Sequence, residues 1–232
     1  RILPVEDEEV SKLAQRAFKK QGITFHTNTG VKNIDLSGDG GTVTYSPIGE
    51  DSKEETITGE KILIAIGVAP RCDGLFSDSL GIELDRGFIK TDAKEVETPT
   101  YKTNVPGIYA IGDIIGPPLL AHVASEEAVT CVERMAGHHT FGVDYNSIPG
   151  CTYTNPQIAS IGMTEAKVKE AGIDYIKGVY SLKSHGKAIA TGATEGFVKL
   201  LASKPYGEIL GAHIIGNSAS ELIAEIGLAI RL

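Results

Sequence analysis

The sequence contains 232 residues, of which 41% are hydrophobic and 22% are charged, as is ordinary for a globular protein. Its formal net charge of -8 argues against nucleic-acid and acidic-membrane partners, because phosphate contacts need clustered Lys and Arg. No apolar run approaches the roughly 20 residues that span a bilayer, and the three scattered cysteines fit a reducing compartment better than a metal or disulfide site. We therefore expect a cytoplasmic protein without a metal site.

The amino-terminal segment predicts a helix and a short strand. Apolar side chains from Val10 to Phe18 recur at helical spacing, acidic residues precede them, and Gly22 supplies a left-handed stop. Residues 23–26 predict a strand directly after this helix. A helix followed by a short strand is half of an α/β repeat, and we expect its first strand upstream of Arg1.

The middle of the sequence predicts antiparallel strands and then two buried strands. Alternating segments over 31–57, with turn residues at Gly38–Gly41, indicate an antiparallel hairpin. The runs 61–67 and 107–113 are apolar throughout and end in glycine or Gly-Asp, a pattern typical of strands buried on both faces of a parallel sheet. A long helix follows and ends near Gly137, with a predicted apolar face of Leu120, Ala124, Ala128, Cys131 and Met135.

The last third of the sequence predicts a separate α+β domain. Turn residues around 145–149 indicate a domain boundary. Beyond it, strands are predicted near 151–154, 158–162, 175–182, 196–203 and 208–215, with a helix from Thr164 to Gly172. The final helix opens at Ser218, and Glu221 three residues later predicts a capping box, in which each side chain accepts a bond from a free backbone amide.

The most informative motif is the stretch from Val105 to Asp113, which ends in Gly112-Asp113. Open α/β sheets bind ligands at the carboxyl ends of their strands. At such an end, glycine allows close approach of a ligand, and the carboxylate can accept hydrogen bonds from a polyol or a ribose. The spacing alone leaves open a glycine turn with a helix-capping aspartate.

That stretch resembles the second flavin-binding motif of the flavoprotein disulfide reductases that carry two dinucleotide-binding domains. The run 62–70 resembles the segment that closes their nicotinamide domain, although Val68 stands where the family has arginine. Within this superfamily, the segments 120–122, 153–162 and 192–228 resemble the dihydrolipoamide dehydrogenases. The resemblance covers essentially the whole chain.

The resemblance implies an α/β plus α+β protein with parts of two Rossmann-like dinucleotide-binding domains followed by an α+β dimerisation domain. Residues 1–73 would be the distal part of the NAD-binding domain, 74–144 the carboxyl-terminal part of the FAD-binding domain, and 145–232 the dimerisation domain. FAD and NAD are the implied cofactors, with NAD preferred over NADP by resemblance alone. A homodimer is implied, together with the acyltransferase of a 2-oxoacid dehydrogenase complex or a lipoyl carrier as partner.

The resemblance also implies the site residues. Gly112 and Asp113 would contact the flavin, and the backbone amides of Leu120, Ala121 and His122 would lie near its pyrimidine at a helix amino terminus. For His122 this backbone role is favoured over that of a proton relay, a role that histidine side chains often take in proteins. In the nicotinamide part, Gly67 and Val31 are the implied cofactor-binding positions.

No catalytic residue is assigned to the chain. The family's redox-active Cys-x-x-x-x-Cys and both Gly-x-Gly-x-x-Gly motifs would precede Arg1, and its catalytic His-Glu pair would follow Leu232. We therefore expect that the 232 residues alone bind FAD poorly and are inactive, whereas the intact parent oxidises dihydrolipoamide with NAD. The alternatives are another disulfide reductase, such as mercuric reductase or a soluble transhydrogenase, and a module that only dimerises.

Overall fold

The computed structural model describes residues 1–49, 53–96 and 98–232, which form two compact units. The first unit contains residues 1–64 and 146–232, and the second contains residues 65–145. The division into three domains at 73/74 and 144/145 stays a prediction, because compactness does not by itself define the domains of a family.

The predicted amino-terminal helix is present as α1 (Glu8–Lys20). Asp7 is its N-cap, and the Asp7 carboxylate accepts a hydrogen bond from the Glu9 amide at 3.0 Å. Gly22 has φ 91°, so the predicted left-handed stop is confirmed. The buried face of the helix is made of Val10, Ser11, Ala14, Ala17 and Phe18.

An antiparallel sheet follows, as predicted, in the order β1 (Thr29–Asp35), β2 (Gly41–Pro47) and β3 (Glu55–Gly59). The turn between β1 and β2 contains Gly38–Gly40, and Gly41 begins β2, which confirms the predicted hairpin. The prediction of a strand over 23–26 is wrong. A strand needs a hydrogen-bonded neighbour, and the described part of the chain places none beside these residues.

The prediction of a buried strand over 61–67 is also wrong. These residues form no strand, and the side chains of Leu63 and Ile66 are 91% and 94% exposed. A strand that is apolar on both faces becomes buried only between neighbouring strands and covering helices. Among the described residues no such layers surround this run.

The second unit contains a two-stranded ribbon, β4 (Leu84–Asp85) with β5 (Phe88–Ile89), and the helix α2 (Ala121–Met135). The prediction of a parallel strand over 107–113 is wrong. This segment instead pairs antiparallel with 101–103, since the Ala110 amide donates to the Tyr101 carbonyl at 3.0 Å. The local hairpin satisfies backbone groups that a parallel ladder would otherwise use, and a 3-10 turn over Gly112–Ile115 follows it.

Helix α2 is present as predicted, but its buried face is rotated from the predicted one. The buried residues are Val123, Glu127, Thr130 and Cys131, whereas Met135 is exposed. Cys131 packs into the core of this unit with Ile89, Ala93, Tyr101, Ala110 and Ile115. The rotation places a carboxylate, that of Glu127, inside this unit.

The carboxyl-terminal segment forms the predicted α+β arrangement. Its elements are β6 (Gly150–Thr152), β7 (Gln157–Gly162), α3 (Glu165–Glu170), β8 (Tyr175–Ser181), α4 (Gly186–Ala190), β9 (Phe197–Ser203), β10 (Ile209–Gly216) and α5 (Ala219–Arg231). The five strands form one antiparallel sheet in the order β6-β7-β10-β9-β8. The short helix α4 and the 3-10 turn Leu182–Ser184 before it were not predicted.

Helices cover both faces of this sheet because alternate residues of its strands point to opposite sides. On one face Ile161 and Ile214 pack against Ile223 of α5, and on the other Ile158 and Ile215 pack against Val10 of α1. In the described part of the chain, no helix is both long and apolar enough to cross a membrane.

The predicted capping box at the start of α5 is wrong. Ser218 has φ 60°, and its side chain makes no capping hydrogen bond. A capping side chain requires the extended backbone of an ordinary N-cap, which a left-handed residue lacks. The Glu221 carboxylate accepts a hydrogen bond from the Ser220 hydroxyl at 2.9 Å instead.

Candidate functional site

The Gly112-Asp113 motif forms a tight turn that leaves its carboxylate in solvent. Gly112 has φ 77°, a left-handed conformation that favours glycine, and a Cβ there would lie 3.1 Å from Cβ of Ala124. Its amide points inward and donates to Oε2 of Glu127 at 2.6 Å. The Asp113 side chain is exposed, while its carbonyl accepts from the Gly116 amide at 3.2 Å. The carboxylate is therefore available to a ligand.

The amino terminus of α2 provides a second polar feature of the same unit. Leu120 is the N-cap with extended backbone, and its apolar side chain makes no capping bond to the first-turn amides. Ala121 and His122 are exposed. The amides at the amino end of a 15-residue helix carry partial positive charge and favour electronegative ligand groups.

These two features suit one kind of ligand. The exposed carboxylate of Asp113 accepts hydrogen bonds and so matches hydroxyl groups, whereas the amino end of α2 donates them and so matches electronegative ring atoms or an anion. The bare Cα of Gly112 permits close packing at the turn. A flavin dinucleotide carries both hydroxyl groups and a ring with electronegative oxygen and nitrogen atoms, so the residues fit this cofactor.

The two positions implied for the nicotinamide part lie in separate units. Val31 lies in β1 of the first unit, opposite Tyr45 of β2, with an exposed side chain. Gly67 belongs to the second unit, has φ 110°, and has open space where a side chain would project. Both are accessible positions.

The histidines differ in their surroundings. His213 is buried in β10, and its Nε2 lies 3.0 Å from the Met163 carbonyl. Burial lowers the pKa of His213. His26 was expected in a strand but lies exposed outside one, with its ring centroid 4.7 Å from that of Tyr45. Because residues 23–26 form no strand, the His26 side chain lies on the surface.

One functional candidate that sequence reasoning missed is the pair Glu127 and Tyr145. Glu127 is 2% exposed, and its Oε1 accepts a hydrogen bond from the Tyr145 hydroxyl at 2.7 Å. Burial, together with this hydrogen bond, raises the pKa of Tyr145. The available signal was a glutamate among Val123, Thr130 and Cys131 at helical spacing, which marks a charge on a buried face.

A second group of residues that was missed is a buried ion cluster in the first unit. Lys199 of β9 is 1% exposed, and its ammonium group lies 2.9 Å from Asp7, 2.6 Å from Glu165 and 3.2 Å from Glu9. The hydrogen bond from Lys199 is the main cause that lowers the pKa of Glu165. For Asp7, burial opposes ionisation, but hydrogen bonds from Lys199 and two backbone amides lower its pKa overall.

Comparisons with known proteins define the class to which this fold belongs. Residues 1–128 match the family described as pyridine nucleotide-disulphide oxidoreductase, and residues 148–232 match the dimerisation domain of the same family. The chain therefore belongs to the pyridine nucleotide-disulphide oxidoreductase family, whose members use FAD and NAD. The predicted family, the fold class and the presence of a dimerisation domain are confirmed.

The relatives include several dihydrolipoyl dehydrogenases. The enzyme of Rhizobium etli is 41% identical over 232 residues, which are 100% of this chain and 47% of the relative. That of Bacillus subtilis is 41% identical over 231 residues, covering 99% of this chain and 47% of the relative. The crystal structure of LpdA from Mycobacterium tuberculosis superposes with a TM-score of 0.87 at 25% identity, covering 100% of this chain and 48% of that one. The chain thus spans about half the length of the relatives that it matches.

Proposed function

We propose that this chain is part of an FAD-dependent dihydrolipoyl dehydrogenase, which oxidises dihydrolipoyl groups to the disulfide and reduces NAD. The observation that carries the proposal is the Gly112-Asp113 turn together with the uncapped amino end of α2, within a chain that resembles dihydrolipoyl dehydrogenases along its whole length. When bound, FAD supplies the ring that accepts electrons and passes them on.

In that proposal, the residues of this chain bind and orient the FAD cofactor. Asp113 accepts hydrogen bonds from cofactor hydroxyls, and Gly112 allows the cofactor to approach the backbone. The amides of Ala121 and His122, at the positive end of α2, meet the electronegative edge of the flavin, whereas the amide implied at Leu120 donates instead to the Pro118 carbonyl at 3.1 Å. His122 acts through its backbone, and its exposed imidazole stays free of a proton-relay role.

Gly67 and Val31 are proposed contacts of the nicotinamide cofactor. Each is exposed, and at Gly67 no side chain obstructs a ligand. In this proposal residues 1–73, 74–144 and 145–232 are the distal NAD-binding, returning FAD-binding and dimerisation domains.

The partners follow from the proposed reaction. A homodimer would form through the dimerisation domain at residues 148–232. The substrate would be a lipoyl group carried by the acyltransferase of a 2-oxoacid dehydrogenase complex or by a lipoyl carrier protein, in the cytoplasm. The net charge of -8 disfavours nucleic acid as a partner.

Turnover by the full gene product tests this function. Reduction of NAD is followed at 340 nm with dihydrolipoamide, and oxidation of NADPH is followed with glutathione disulfide or mercuric ion as controls. We expect rapid, FAD-dependent turnover with dihydrolipoamide and little with the controls. Activity on a control and none on dihydrolipoamide would reassign the chain to another disulfide reductase. A colourless, inactive dimer would contradict the proposal and support the alternative of a module that only dimerises.

A further inference from the structure

The Glu127 carboxylate joins three parts of the second unit. Its side chain rises from the buried face of α2, its Oε2 accepts from the Gly112 amide at 2.6 Å, and its Oε1 accepts from the Tyr145 hydroxyl at 2.7 Å. Both oxygens therefore have a partner. A carboxylate this deeply buried is stable only when its oxygens are hydrogen-bonded.

The bond to Gly112 fixes the turn that presents Asp113. The left-handed backbone of Gly112 directs its amide into the unit, where Glu127 supplies the acceptor. Without that acceptor a buried amide would lose its partner, and the turn would shift to expose it to water. Because Asp113 is the next residue, such a shift would move the carboxylate assigned to the cofactor.

The other groups around Glu127 restrain its side chain. Tyr145 holds Oε1, and the Lys94 ammonium lies 5.6 Å from the centre of the Tyr145 ring. The Glu127 side chain therefore cannot turn away from Gly112 without breaking the bond to Tyr145.

We propose that Glu127 is a positioning residue for the flavin cofactor, which acts by holding the Gly112-Asp113 turn in place from within the protein. The inference rests on the proposed function, because it assigns the turn to FAD. Glu127 itself is buried and does not touch the ligand. Its role is separate from that of Asp113, which meets the cofactor directly.

Three variants of the full gene product separate geometry from charge. Glu127→Gln keeps the side-chain length and one acceptor oxygen but removes the charge. Glu127→Asp keeps the charge but is one methylene shorter. Glu127→Ala removes the charge and both acceptor oxygens. Cys131→Ala, one helical turn along the same buried face, is the matched core control. We expect FAD to dissociate about ten- to hundredfold faster from the Ala and Asp variants, from the strength of a hydrogen bond to a charged group. The Gln variant should lie between these variants and the wild type, because it keeps an acceptor oxygen but loses the charge, and Cys131→Ala should equal the wild type.

A further readout does not depend on the cofactor. Hydrogen exchange at the Gly112 amide should accelerate in the Asp variant and stay protected in the Gln variant. Wild-type FAD dissociation and wild-type Gly112 protection in Glu127→Asp would overturn the inference, even if Glu127→Ala does not fold. A wild-type protein that binds no FAD would overturn the proposed function, and the cofactor role of Glu127 with it.

Discussion

Replacing Lys199 by methionine should destabilise the first unit severely. Methionine keeps most of the length and apolar volume of lysine but removes the ammonium group. That group lies against three carboxylates, of which Asp7 is the most deeply buried at 2% exposure. The substitution leaves the Asp7 charge inside the protein with only its two backbone amide donors, those of Glu9 and Glu165.

The size of the loss in the free energy of unfolding depends on which of the three carboxylates can be solvated by water once the ammonium group is gone. Glu9 has a side chain that is 39% exposed, and the 14% exposed Glu165 keeps Lys169 at 2.9 Å, so both retain compensation. Asp7 has no comparable access to solvent. Removing one partner of a buried pair costs about 3–5 kcal/mol, and since only Asp7 is stranded we expect a loss of about 3 kcal/mol in the free energy of unfolding.

Lys177→Met is the matched control, because Lys177 bonds to two of the same carboxylates, Glu9 and Glu165, from a side chain that is 36% exposed. Exposed pairs contribute about 0–1 kcal/mol, so this variant should lose at most that amount. Urea unfolding of the full gene product, followed by circular dichroism, measures both values. Equal losses for Lys199→Met and Lys177→Met would refute the reasoning, since the difference in burial would then have no energetic consequence.

The ion cluster around Lys199 also makes the stability of the folded state sensitive to acid. The pKa values of Asp7 and Glu165 lie below their ordinary 3.8 and 4.5, so the folded state binds protons less readily than the unfolded chain. Their contribution to stability is therefore complete above these ordinary values and is lost as the pH falls below them. This acid-dependent part should be smaller in Lys199→Met than in the wild type.

Two other predictions concern His213 and a pair of left-handed glycines. Because burial lowers the pKa of His213 below its ordinary 6.5, protonation of the unfolded chain should reduce stability as the pH falls from about 7 to about 5, and His213→Gln should flatten this slope in urea titrations. An unchanged slope would contradict it. Gly162→Ala should lower the midpoint of thermal unfolding clearly more than Gly192→Ala, although both glycines have left-handed backbone. At Gly162 the new Cβ would lie 2.5 Å from the Leu210 carbonyl oxygen, whereas at Gly192 it would project into open space. Equal shifts would show that the close contact relaxes freely.

Local patterns in the sequence predicted the elements that depend on nearby residues. The face of α1, its glycine stop and the hairpin at Gly38–Gly41 are set within a few residues, and the structure confirms each. The antiparallel sheet of the carboxyl-terminal segment was likewise predicted strand by strand, because its alternating patterns and turns are local.

Features that depend on distant partners could not be predicted in the same way. The apolar runs 61–67 and 107–113 have the composition of buried strands, but whether they form strands depends on neighbours that the runs do not encode. The bond between Lys199 and Asp7 joins residues 192 positions apart, and Glu127 reaches Gly112 across 15. A charged residue in an apolar pattern signals a buried partner without identifying it.

The turn at Gly112-Asp113 is the part of the account that links this fold to its proposed chemistry, and one measurement tests it most directly. Dihydrolipoamide-dependent reduction of NAD is compared between the wild-type full gene product, Asp113→Ala and the exposed control Asp85→Ala, each with and without added FAD. We predict that only Asp113→Ala loses bound FAD and activity, and that excess FAD restores part of both, because the variant weakens binding without altering the chemistry. Asp113→Ala with full activity and tightly bound FAD would contradict the assignment of this turn to the cofactor.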